Sequence, residues 1–412
     1  MNDIINEAER CLKCKKPLCS AWCPVNTKVP EIMKLFLEGK IEEAGELLFN
    51  NNPLSICCSI ICPHEDTCLG HCILNKKGKP IYFYQVEHYI SEYYLARPKE
   101  FSVTENNKLV GIIGAGPAGI TLAILLRQRG FNVTIIDSMD KIGGVLRYGI
   151  PEFRLPKSNL DLLLAKMKTM GIRFRPNTLI GPTITVDQMF DDGYDAVFIG
   201  TGAWRPNRLR IKGESLGNTH YAIDFLKNPK SYDNLGDKVL VIGAGNVAMD
   251  ASRTIVRGTS ADVEVIFFRG EEDVTCSEEE FAYAKVDGVR FNYYLNTVEI
   301  LEDGIIVEDV LKSEDASGKT VYFNDESTRR KIECTSVIIA VGQGPKANIV
   351  KNTTKLETSP KGLINAGESG ITSRAGVFAA GDVVSGPKTV VEAVAFSKRV
   401  ADEIEKYCLN KE

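Results

Sequence analysis

From residue 109 the chain reads Leu109-Val-Gly-Ile-Ile-Gly114-Ala-Gly116-Pro-Ala-Gly119. The apolar run Leu109–Ile113 predicts a buried strand, and the Gly-x-Gly-x-x-Gly spacing after it predicts a tight turn into a helix. The first glycine permits the turn, the second lets the backbone approach a pyrophosphate, and the third packs the helix on the strand. The helix N-terminus then faces the phosphates. This stretch therefore predicts a dinucleotide-binding α/β domain.

The same pattern occurs a second time in the chain. Val239-Leu-Val-Ile-Gly-Ala-Gly245 repeats it, with 129 residues separating Gly114 from Gly243. Around both stretches the sequence alternates between strand and helix patterns, which favours parallel sheets covered by helices. The fold class is therefore predicted to be α/β, with two Rossmann-like domains and two dinucleotide sites.

Asp137 supports a dinucleotide site at the first motif, and two further glycine pieces favour FAD as its ligand. It ends the predicted strand Asn132–Ile136, 23 residues after Gly114, where a carboxylate can bind ribose hydroxyls. Two further glycine pieces extend the predicted flavin site, at Phe198–Gly202 and Gly376–Asp382. Asp382 in the second of these pieces can accept hydrogen bonds from the ribityl chain. The helix that begins near Thr389 offers N–H groups to the anionic flavin edge.

The second motif is typical of a nicotinamide nucleotide site. Its third position is Ala248, and the predicted strand Val263–Phe268 ends at Arg269, where an arginine can meet the 2′-phosphate of NADP. No second basic residue follows, because Gly270 and two glutamates come next. NADH and NADPH therefore both stay open as the coenzyme.

The motifs give two sets of candidate cofactor-binding residues. For FAD they are Gly114, Gly116, Pro117, Ala118, Gly119, Asp137, Gly202, Gly381, Asp382 and Thr389. For NADH or NADPH they are Gly243, Gly245, Asn246, Val247, Ala248, Arg269 and Gly342. No catalytic acid or base is predicted, since the cofactors supply the chemistry of hydride transfer.

Nine of the twelve cysteines are concentrated between Cys11 and Cys72. They read Cys11-x2-Cys14-x4-Cys19-x3-Cys23-Pro24, and later Cys62-Pro63, Cys68 and Cys72. Thiolates at this spacing can converge on an iron–sulfur cluster, and proline after a ligand is typical of ferredoxins. Seven regularly spaced cysteines are one short of two four-thiolate sets. An oxygen or nitrogen ligand, or one of the adjacent Cys57 and Cys58, would complete the second set.

Zinc is the alternative metal for this region. Cys-x2-Cys pairs commonly bind it, and three histidines, His64, His71 and His88, lie nearby. Zinc sites usually contain paired Cys-x2-Cys knuckles, whereas here a single pair is followed by isolated cysteines. A one-electron outlet also suits a chain that binds flavin, so iron–sulfur is the prediction.

Composition places the chain among globular proteins of more than one domain. Its 412 residues exceed what one core usually serves, and the net charge of -4, without long runs of either sign, argues against nucleic-acid or anionic-membrane binding. Met1–Arg10 lacks the apolar core of a signal peptide, and no stretch of about 18 uncharged apolar residues occurs. We therefore expect a cytoplasmic protein without membrane insertion.

These residues together resemble one family over essentially the whole chain: the small subunit of glutamate synthase and the N-terminal half of dihydropyrimidine dehydrogenase, including its separate bacterial NAD-dependent subunit. The most specific segments are Arg10-Cys-Leu-x-Cys14, Gly143-Gly-Val-Leu-Arg-Tyr-Gly-Ile-Pro-Glu-Phe-Arg-Leu-Pro156, Gly243–Asp250, Ala380-Gly-Asp-Val-Val384 and Thr389-Val-Val-Glu-Ala393. The family's NADPH-using members have two adjacent basic residues where this chain has only Arg269, which favours NADH slightly.

The resemblance implies two [4Fe-4S] clusters and their ligands. Cys11, Cys14, Cys19 and Cys72 would hold one cluster, and Cys23, Cys62 and Cys68 the other. The family's fourth ligand to the second cluster is a side-chain oxygen, which points to Glu87, with His88 as the rival. The resemblance also implies that Gly144, Arg154 and Thr389 touch FAD.

The predicted organisation has four segments. They are 1–104 (helical iron–sulfur domain), 105–205 (FAD-binding domain, first part), 206–345 (NAD(P)-binding domain) and 346–412 (FAD-binding domain, second part). The predicted activity is hydride transfer from NADH or NADPH to FAD, with the nicotinamide and flavin rings stacked between the two nucleotide domains. The electrons then pass singly through the clusters to a second subunit or an acceptor protein.

Two other functions stay open at this point. A disulfide reductase similar to thioredoxin reductase shares paired dinucleotide domains, but it needs a redox cysteine pair beside the flavin, and only isolated cysteines follow residue 104. A zinc-stabilised scaffold without catalysis is the second alternative.

Overall fold

The computed structural model describes residues 2–315 and 317–410. The described residues form two compact units. The first is built from the segments Met1–Arg147, Glu152–Ala203 and Gly344–Glu412, and the second from Tyr148–Pro151 and Trp204–Gln343. Each unit contains one of the two glycine motifs.

The N-terminal part of the first unit is helical. Its helices are α1 (Asn2–Glu9), α2 (Leu18–Ala21), α3 (Val29–Leu37), α4 (Ile41–Asn51), α5 (Ser55–Ile61) and α6 (Phe83–Leu95), with a 3-10 turn at Ile73–Lys77. The helical pattern that runs from Val29 to Phe49 is broken at Gly39, whose φ of 76° suits glycine and ends a helix. The buried core of this part includes Ala8, Ile32, Met33, Leu48, Val86 and Ile90.

A strand and helix alternation follows in the same unit. Its elements are β1 (Leu109–Ile113), α7 (Pro117–Gln128), β2 (Asn132–Ile136), α8 (Val145–Tyr148), α9 (Ser158–Thr169), β3 (Arg173–Arg175), α10 (Val186–Asp191) and β4 (Ala196–Ile199).

The second unit repeats this alternation and adds an antiparallel sheet. Its strands are β5 (Arg205–Pro206), β6 (Thr219–Tyr221), β7 (Lys238–Ile242), β8 (Asp262–Ile266), β9 (Arg290–Asn292), β10 (Leu295–Leu301), β11 (Gly304–Glu314), β12 (Thr320–Glu333), β13 (Ser336–Ile339) and β14 (Gln343–Gly344). Its helices are α11 (Ala222–Lys227), α12 (Asn246–Gly258) and α13 (Glu278–Val286), with 3-10 turns at Pro229–Ser231 and Glu271–Asp273.

The chain then returns to the first unit. The remaining elements are α14 (Asn348–Lys351), β15 (Val377–Ala379), α15 (Asp382–Ser385) and α16 (Val390–Leu409). β15 joins the first sheet beside β4, with Phe378 opposite Phe198, so that residues far apart in the sequence complete one sheet.

Two parallel sheets of five strands result, with the orders β15-β4-β1-β2-β3 and β6-β13-β7-β8-β9. Ile112 at the centre of the first sheet is fully buried and pairs with Ile135 on one side and Phe198 on the other. Strands covered by helices on both faces read as continuous apolar runs, which is why Leu109–Ile113 was recognisable in the sequence. Strands β10, β11 and β12 form the separate antiparallel sheet.

The predicted α/β fold class with a helical N-terminal part is thus confirmed. The proposed segment limits at residues 104, 205 and 345 stay predictions. The chain passes from one unit to the other after Arg147, Pro151, Ala203 and Gln343. Within the described residues, every helix is too short or too polar to cross a lipid bilayer.

Candidate functional site

A side chain at each of the three glycines of the first motif would meet different surroundings. At Gly114, with φ of 107°, a Cβ would lie 2.5 Å from the carbonyl oxygen of Gly200, and at Gly119 a Cβ would overlap the carbonyl oxygen of Gly114. Gly116 differs, because its φ is -82° and a Cβ would come no closer than 3.9 Å to any atom, the Cα of Gly144. The protein itself therefore has no steric need for glycine at 116, and the free space suits a bound pyrophosphate.

Other predicted flavin residues surround this loop. Gly144 is packed so closely that a Cβ on it would lie 2.7 Å from the Cα of Gly116. Gly202, with φ of 68°, follows β4, which pairs with β1, and a Cβ on Gly381 would lie 3.1 Å from that of Ala118. These residues meet at the carboxyl edge of the parallel sheet, where α/β proteins bind nucleotides.

Two partly buried carboxyl groups, those of Asp137 and Asp382, flank the same edge. Asp137 accepts hydrogen bonds from the backbone N–H of Ala115, at 2.6 Å, and of Met139, at 2.8 Å. Burial raises the pKa of Asp137, and these hydrogen bonds oppose the shift. Burial also raises the pKa of Asp382 to about 6, against the N–H donated by Lys388. Both carboxyls are thus held near the loop by backbone groups, as ribose and ribityl acceptors require.

Thr389 begins the long helix α16 through a capping box. Its side chain accepts from the N–H of Glu392, whose carboxylate accepts from the Thr389 N–H at 3.0 Å. The helix packs against α7, and Ser397 donates to the carbonyl of Ala118 at 3.1 Å. These contacts hold α16, which begins at Thr389, against α7, the helix that follows the glycine loop. Arg154 lies in the segment that connects α8 to α9, and it is partly buried.

The second motif reproduces this geometry in the other unit. A Cβ on Gly243, whose φ is 121°, would overlap the carbonyl oxygen of Ala340, whereas a Cβ on Gly245 would meet only the Thr275 hydroxyl at 3.5 Å. Ala248 is fully buried under the strand. The matching space at Gly245 suits a second pyrophosphate.

The neighbours of this loop include two further predicted residues. Asn246, ahead of Val247 in the first turn of α12, accepts from the N–H of Ser277 at 3.1 Å. Gly342, with φ of 85°, follows β13 and accepts from the N–H of Asn207 at 3.0 Å. Both lie at the carboxyl edge of the second sheet.

Arg269 lies three residues beyond the end of β8. Its guanidinium carbon is 4.9 Å from the centre of the Phe268 ring and 5.4 Å from that of Tyr322. Its Nε is buried and makes no hydrogen bond within the described residues. The two rings are close enough to the guanidinium for cation–π contacts that help to hold it in place.

The first of two cysteine-lined cavities has a volume of about 400 Å³. Its walls include four of the predicted ligands, Cys11, Cys14, Cys19 and Cys72. This is the first set that the resemblance implies, brought together from the α1–α2 connection, α2 and the segment before the 3-10 turn. Cys68 of the second set also lines this cavity. The four thiols of the first set suit a [4Fe-4S] cluster.

The second cavity is smaller, about 20 Å³, and contains the remaining predicted ligands. It is lined by Cys23, Cys62, Cys68 and Glu87, and also by Cys58, whose thiol hydrogen-bonds that of Cys62. The structure thus brings the expected three thiols and the carboxyl group together.

The residues Val29, Cys68 and Phe83 line both cavities. Val391, which lies two residues after Thr389 in the first turn of α16, lines the second one. The two cavities and the predicted flavin-binding helix therefore adjoin one another inside one unit. Val391 belongs to the segment Thr389–Ala393 that the sequence analysis singled out for flavin, whereas no sequence signal indicated Phe83, whose spacing is that of an ordinary helical core residue.

Burial raises the pKa of Cys19, Cys68 and Glu87. It raises the pKa of Cys19 to about 11 and that of Cys68 to about 12. It raises the pKa of Glu87 well above its usual range, and the Cys58 thiol adds to the effect. These groups need a positive partner in order to ionise, and bound iron is one.

Zinc was the alternative metal for this region. Within the described residues, no group of three or more His, Cys, Asp or Glu side chains converges closely enough to hold a single metal ion. Four sulfurs around zinc lie within about 2.3 Å of it, whereas each thiolate of a cubane binds a separate iron and the sulfurs stand farther apart.

The three nearby histidines contact protein oxygen atoms, and Cys57 and Cys58 differ in their location. His64 contacts the carbonyl of Cys58 at 3.2 Å, His71 contacts that of Thr67 at 2.8 Å, and His88 contacts the Ser59 hydroxyl at 3.2 Å. Cys58 lines the second cavity, whereas the fully buried Cys57 lines neither one. Thr27 was not recognised from the sequence, yet its hydroxyl is 3.3 Å from the Cys23 sulfur.

Comparison with known proteins decides the family. Residues 108–396 match the model "Pyridine nucleotide-disulphide oxidoreductase", and residues 1–99 match "Dihydropyrimidine dehydrogenase domain II, 4Fe-4S cluster". The chain belongs to the pyridine nucleotide-disulphide oxidoreductase family. Its N-terminal part is a 4Fe-4S domain, so the iron–sulfur prediction is confirmed and the zinc scaffold is wrong.

Curated relatives give the same result over nearly the whole chain. The glutamate synthase [NADPH] small chain of Halomonas elongata is 33% identical, covering 98% of this chain and 91% of that protein. The NAD-dependent dihydropyrimidine dehydrogenase subunit PreT of Escherichia coli O157:H7 is 32% identical, covering 98% and 94%. The predicted resemblance is confirmed, and the protein is an FAD-dependent NAD(P)H oxidoreductase that contains iron–sulfur clusters.

The similarity to thioredoxin reductase extends to the fold alone. The T. acidophilum enzyme is 24% identical, with a TM-score of 0.54 over 74% of this chain and 98% of that chain. It shares the paired nucleotide-binding domains, but the N-terminal match to a 4Fe-4S domain favours electron transfer over disulfide reduction.

Proposed function

We propose that this chain oxidises a nicotinamide nucleotide and delivers the electrons one at a time to a partner protein. One observation supports this more than any other: the cavity of Cys23, Cys62, Cys68 and Glu87 adjoins both the first turn of α16 and the larger thiol cavity. When bound, FAD accepts electrons in pairs and [4Fe-4S] clusters release them singly. The chain's own residues hold these groups side by side.

The ligand sets that we propose follow the walls of the two cavities. Cys11, Cys14, Cys19 and Cys72 would hold the outer cluster. Cys23, Cys62 and Cys68, completed by Glu87, would hold the inner one. Cys58 would remain beside Cys62 as a hydrogen-bonding neighbour, since a thiol donor near a ligand sulfur adjusts the potential of a cluster.

The nucleotide-binding residues act mainly by position. The open backbone at Gly116 and Gly245 receives the two pyrophosphates, and Asp137, Asp382 and the first turn of α16 hold the sugar and flavin groups. Little proton transfer is needed from the protein. The relatives' names describe a small chain and a subunit, which supports a second protein as the electron acceptor.

An anaerobic titration of the purified chain tests this proposal. We expect about eight iron atoms and one FAD per chain, bleaching of flavin absorbance on addition of NADH or NADPH, and an EPR signal from reduced clusters. Zinc in place of iron, or flavin that does not bleach with either nucleotide, would contradict the proposed function.

We also propose that Arg269 reads the ribose of the coenzyme. Its position after β8 suits a 2′-phosphate, but the three residues from Glu271 to Asp273 place carboxylates close by in sequence. Those carboxylates are engaged elsewhere, for example Glu271 with Lys285 and Glu272 with Lys312. The site therefore tolerates NADPH without excluding NADH.

Replacement of Arg269 is expected to change the use of NADPH more than the use of NADH. Arg269→Ala is expected to lower kcat/KM for NADPH by about 10- to 100-fold more than for NADH, since a charge-assisted hydrogen bond contributes about 1.5–3 kcal/mol. Stopped-flow flavin reduction with each nucleotide measures this. Arg290→Ala, which removes an exposed arginine engaged with Asp262 and Glu264, is the matched control. Equal losses for both nucleotides at Arg269 would show that it does not read the phosphate.

A further inference from the structure

We propose that the surface over the first thiol cavity is the docking site for a partner protein with an acidic face. The surface, called here the exit surface, consists of Leu12, Leu18, Trp22 and Ile73 with the lysines of segments 11–24 and 71–80. The proposal rests on the proposed function, because it names where the electrons leave and what kind of protein accepts them.

Large apolar side chains are exposed at the mouth of this cavity. Leu12 is 60% exposed, Leu18 46% and Ile73 40%, and all three also line the cavity with the thiols. A cluster held there would be separated from solvent mainly by these side chains. Burying exposed apolar residues against a partner stabilises a complex and brings the electron acceptor close to the cluster.

Trp22 adds a rigid aromatic group to the exit surface. It is 57% exposed, and its ring stacks on His71 with 3.9 Å between centroids and 14° between planes. The stacking joins the segment of Cys19 and Cys23 to that of Cys72. Exposed tryptophans held in place by packing are common anchors of protein interfaces.

Segments 11–24 and 71–80 themselves contain only positive charges, whereas Glu9, Glu65 and Asp66 are exposed in the adjoining residues. Segments 11–24 and 71–80 contain the six lysines Lys13, Lys15, Lys16, Lys76, Lys77 and Lys79 and no aspartate or glutamate. All six are exposed, and none of them pairs with a carboxylate of the described residues. The whole chain has a net charge of -4, so this patch is opposite in sign to the protein as a whole.

An apolar centre with a basic rim fits an acidic partner. Complementary charge speeds encounter and orients the partner, whereas the apolar centre excludes water from the contact. The first cavity is also the one that Val391 of the flavin-binding helix does not line, so its cluster would be the last before the surface. The geometry therefore places electron exit at this face.

Charge reversal tests the exit surface with an acidic plant-type [2Fe-2S] ferredoxin as the probe acceptor. The variant is Lys15→Glu with Lys76→Glu and Lys77→Glu, three exposed residues outside both cavities. At low ionic strength we expect kcat/KM for ferredoxin reduction to fall at least about tenfold. Added salt should slow the wild type and leave the variant nearly unchanged.

The matched control makes the same charge change at the exposed Lys346, Lys351 and Lys361 and should alter the rate less than about twofold. Trp22→Ala should slow the reaction at all salt concentrations, because it removes an apolar contact. Equal effects of the two charge-reversed variants, or a wild type that bleaches with nucleotide and contains iron yet does not reduce ferredoxin, would overturn the docking proposal. Loss of iron or of bleaching in the wild type would instead contradict the proposed function.

Discussion

Gly116→Val is expected to abolish FAD retention while the chain stays folded. Gly116 has φ of -82° and ψ of -174°, which valine adopts readily, and its Cβ would meet no protein atom closer than 3.9 Å. The added side chain instead fills the space that we assign to the pyrophosphate. We expect FAD affinity to fall at least about a hundredfold, or about 2.8 kcal/mol. Flavin content after purification measures the loss of FAD, and thermal unfolding of the FAD-free protein shows whether the chain stays folded.

Two other glycines serve as controls for this variant. Gly367→Val places the same side chain at an exposed position with nothing within 4 Å, and it should retain FAD fully. Gly119→Ala should destabilise the fold itself, because its Cβ overlaps the carbonyl oxygen of Gly114. Gly245→Val should retain FAD but fail to bleach with NADH or NADPH. Normal FAD content in Gly116→Val would refute the assignment of the first loop.

Loss of single cluster ligands is expected to stop electron output without stopping flavin reduction. Cys14 lines the first cavity only, whereas Cys68 lines both. Cys14→Ser and Cys68→Ser should therefore lower iron content and reduce transfer to a protein acceptor at least about a hundredfold, since the single-electron path is broken. Bleaching by the preferred nucleotide should persist, because it requires only the two nucleotide sites. Iron analysis, EPR and stopped-flow absorbance are the measurements.

Cys57→Ala is the control for these replacements. Cys57 is as buried as its neighbour Cys58 but lines neither cavity, so the variant should keep its full iron content. Glu87→Ala should leave about half of the iron, because the first set is complete with four thiolates. Full iron and full output in Cys14→Ser, Cys68→Ser and Glu87→Ala together would refute the proposed ligand sets.

The two nucleotide-binding domains were predictable from local sequence. A tight turn after a strand needs glycine at Gly114 and Gly243, and parallel strands buried on both faces need continuous apolar runs such as Leu109–Ile113. These requirements act within about ten residues of the chain, so the sequence displays them directly. The position of Arg269 after a strand was likewise predictable, and its role stays a prediction.

The assembly of the cluster sites was not predictable from spacing alone. Seven cysteines were one ligand short of two sets, and the residues themselves left open whether an oxygen, a nitrogen or Cys57 or Cys58 supplied the last one. Only packing of α5 against α6 places Glu87 and Cys58 at the second cavity and leaves Cys57 in the core. Contacts between separate helices depend on their relative orientation, which no local pattern encodes.

The proximity of the predicted flavin-binding helix to the thiol cavities is likewise a property of the tertiary structure. Val391 lies more than 300 residues after Cys68, yet both line one cavity, because β15 inserts beside β4 and brings the start of α16 to the N-terminal helices. Local sequence could predict the turns and strands, since their hydrogen bonds and dihedral angles involve near neighbours. The contacts between the predicted cofactor sites could not be predicted from local sequence, because they join segments that are far apart along the chain and adjacent only in the fold.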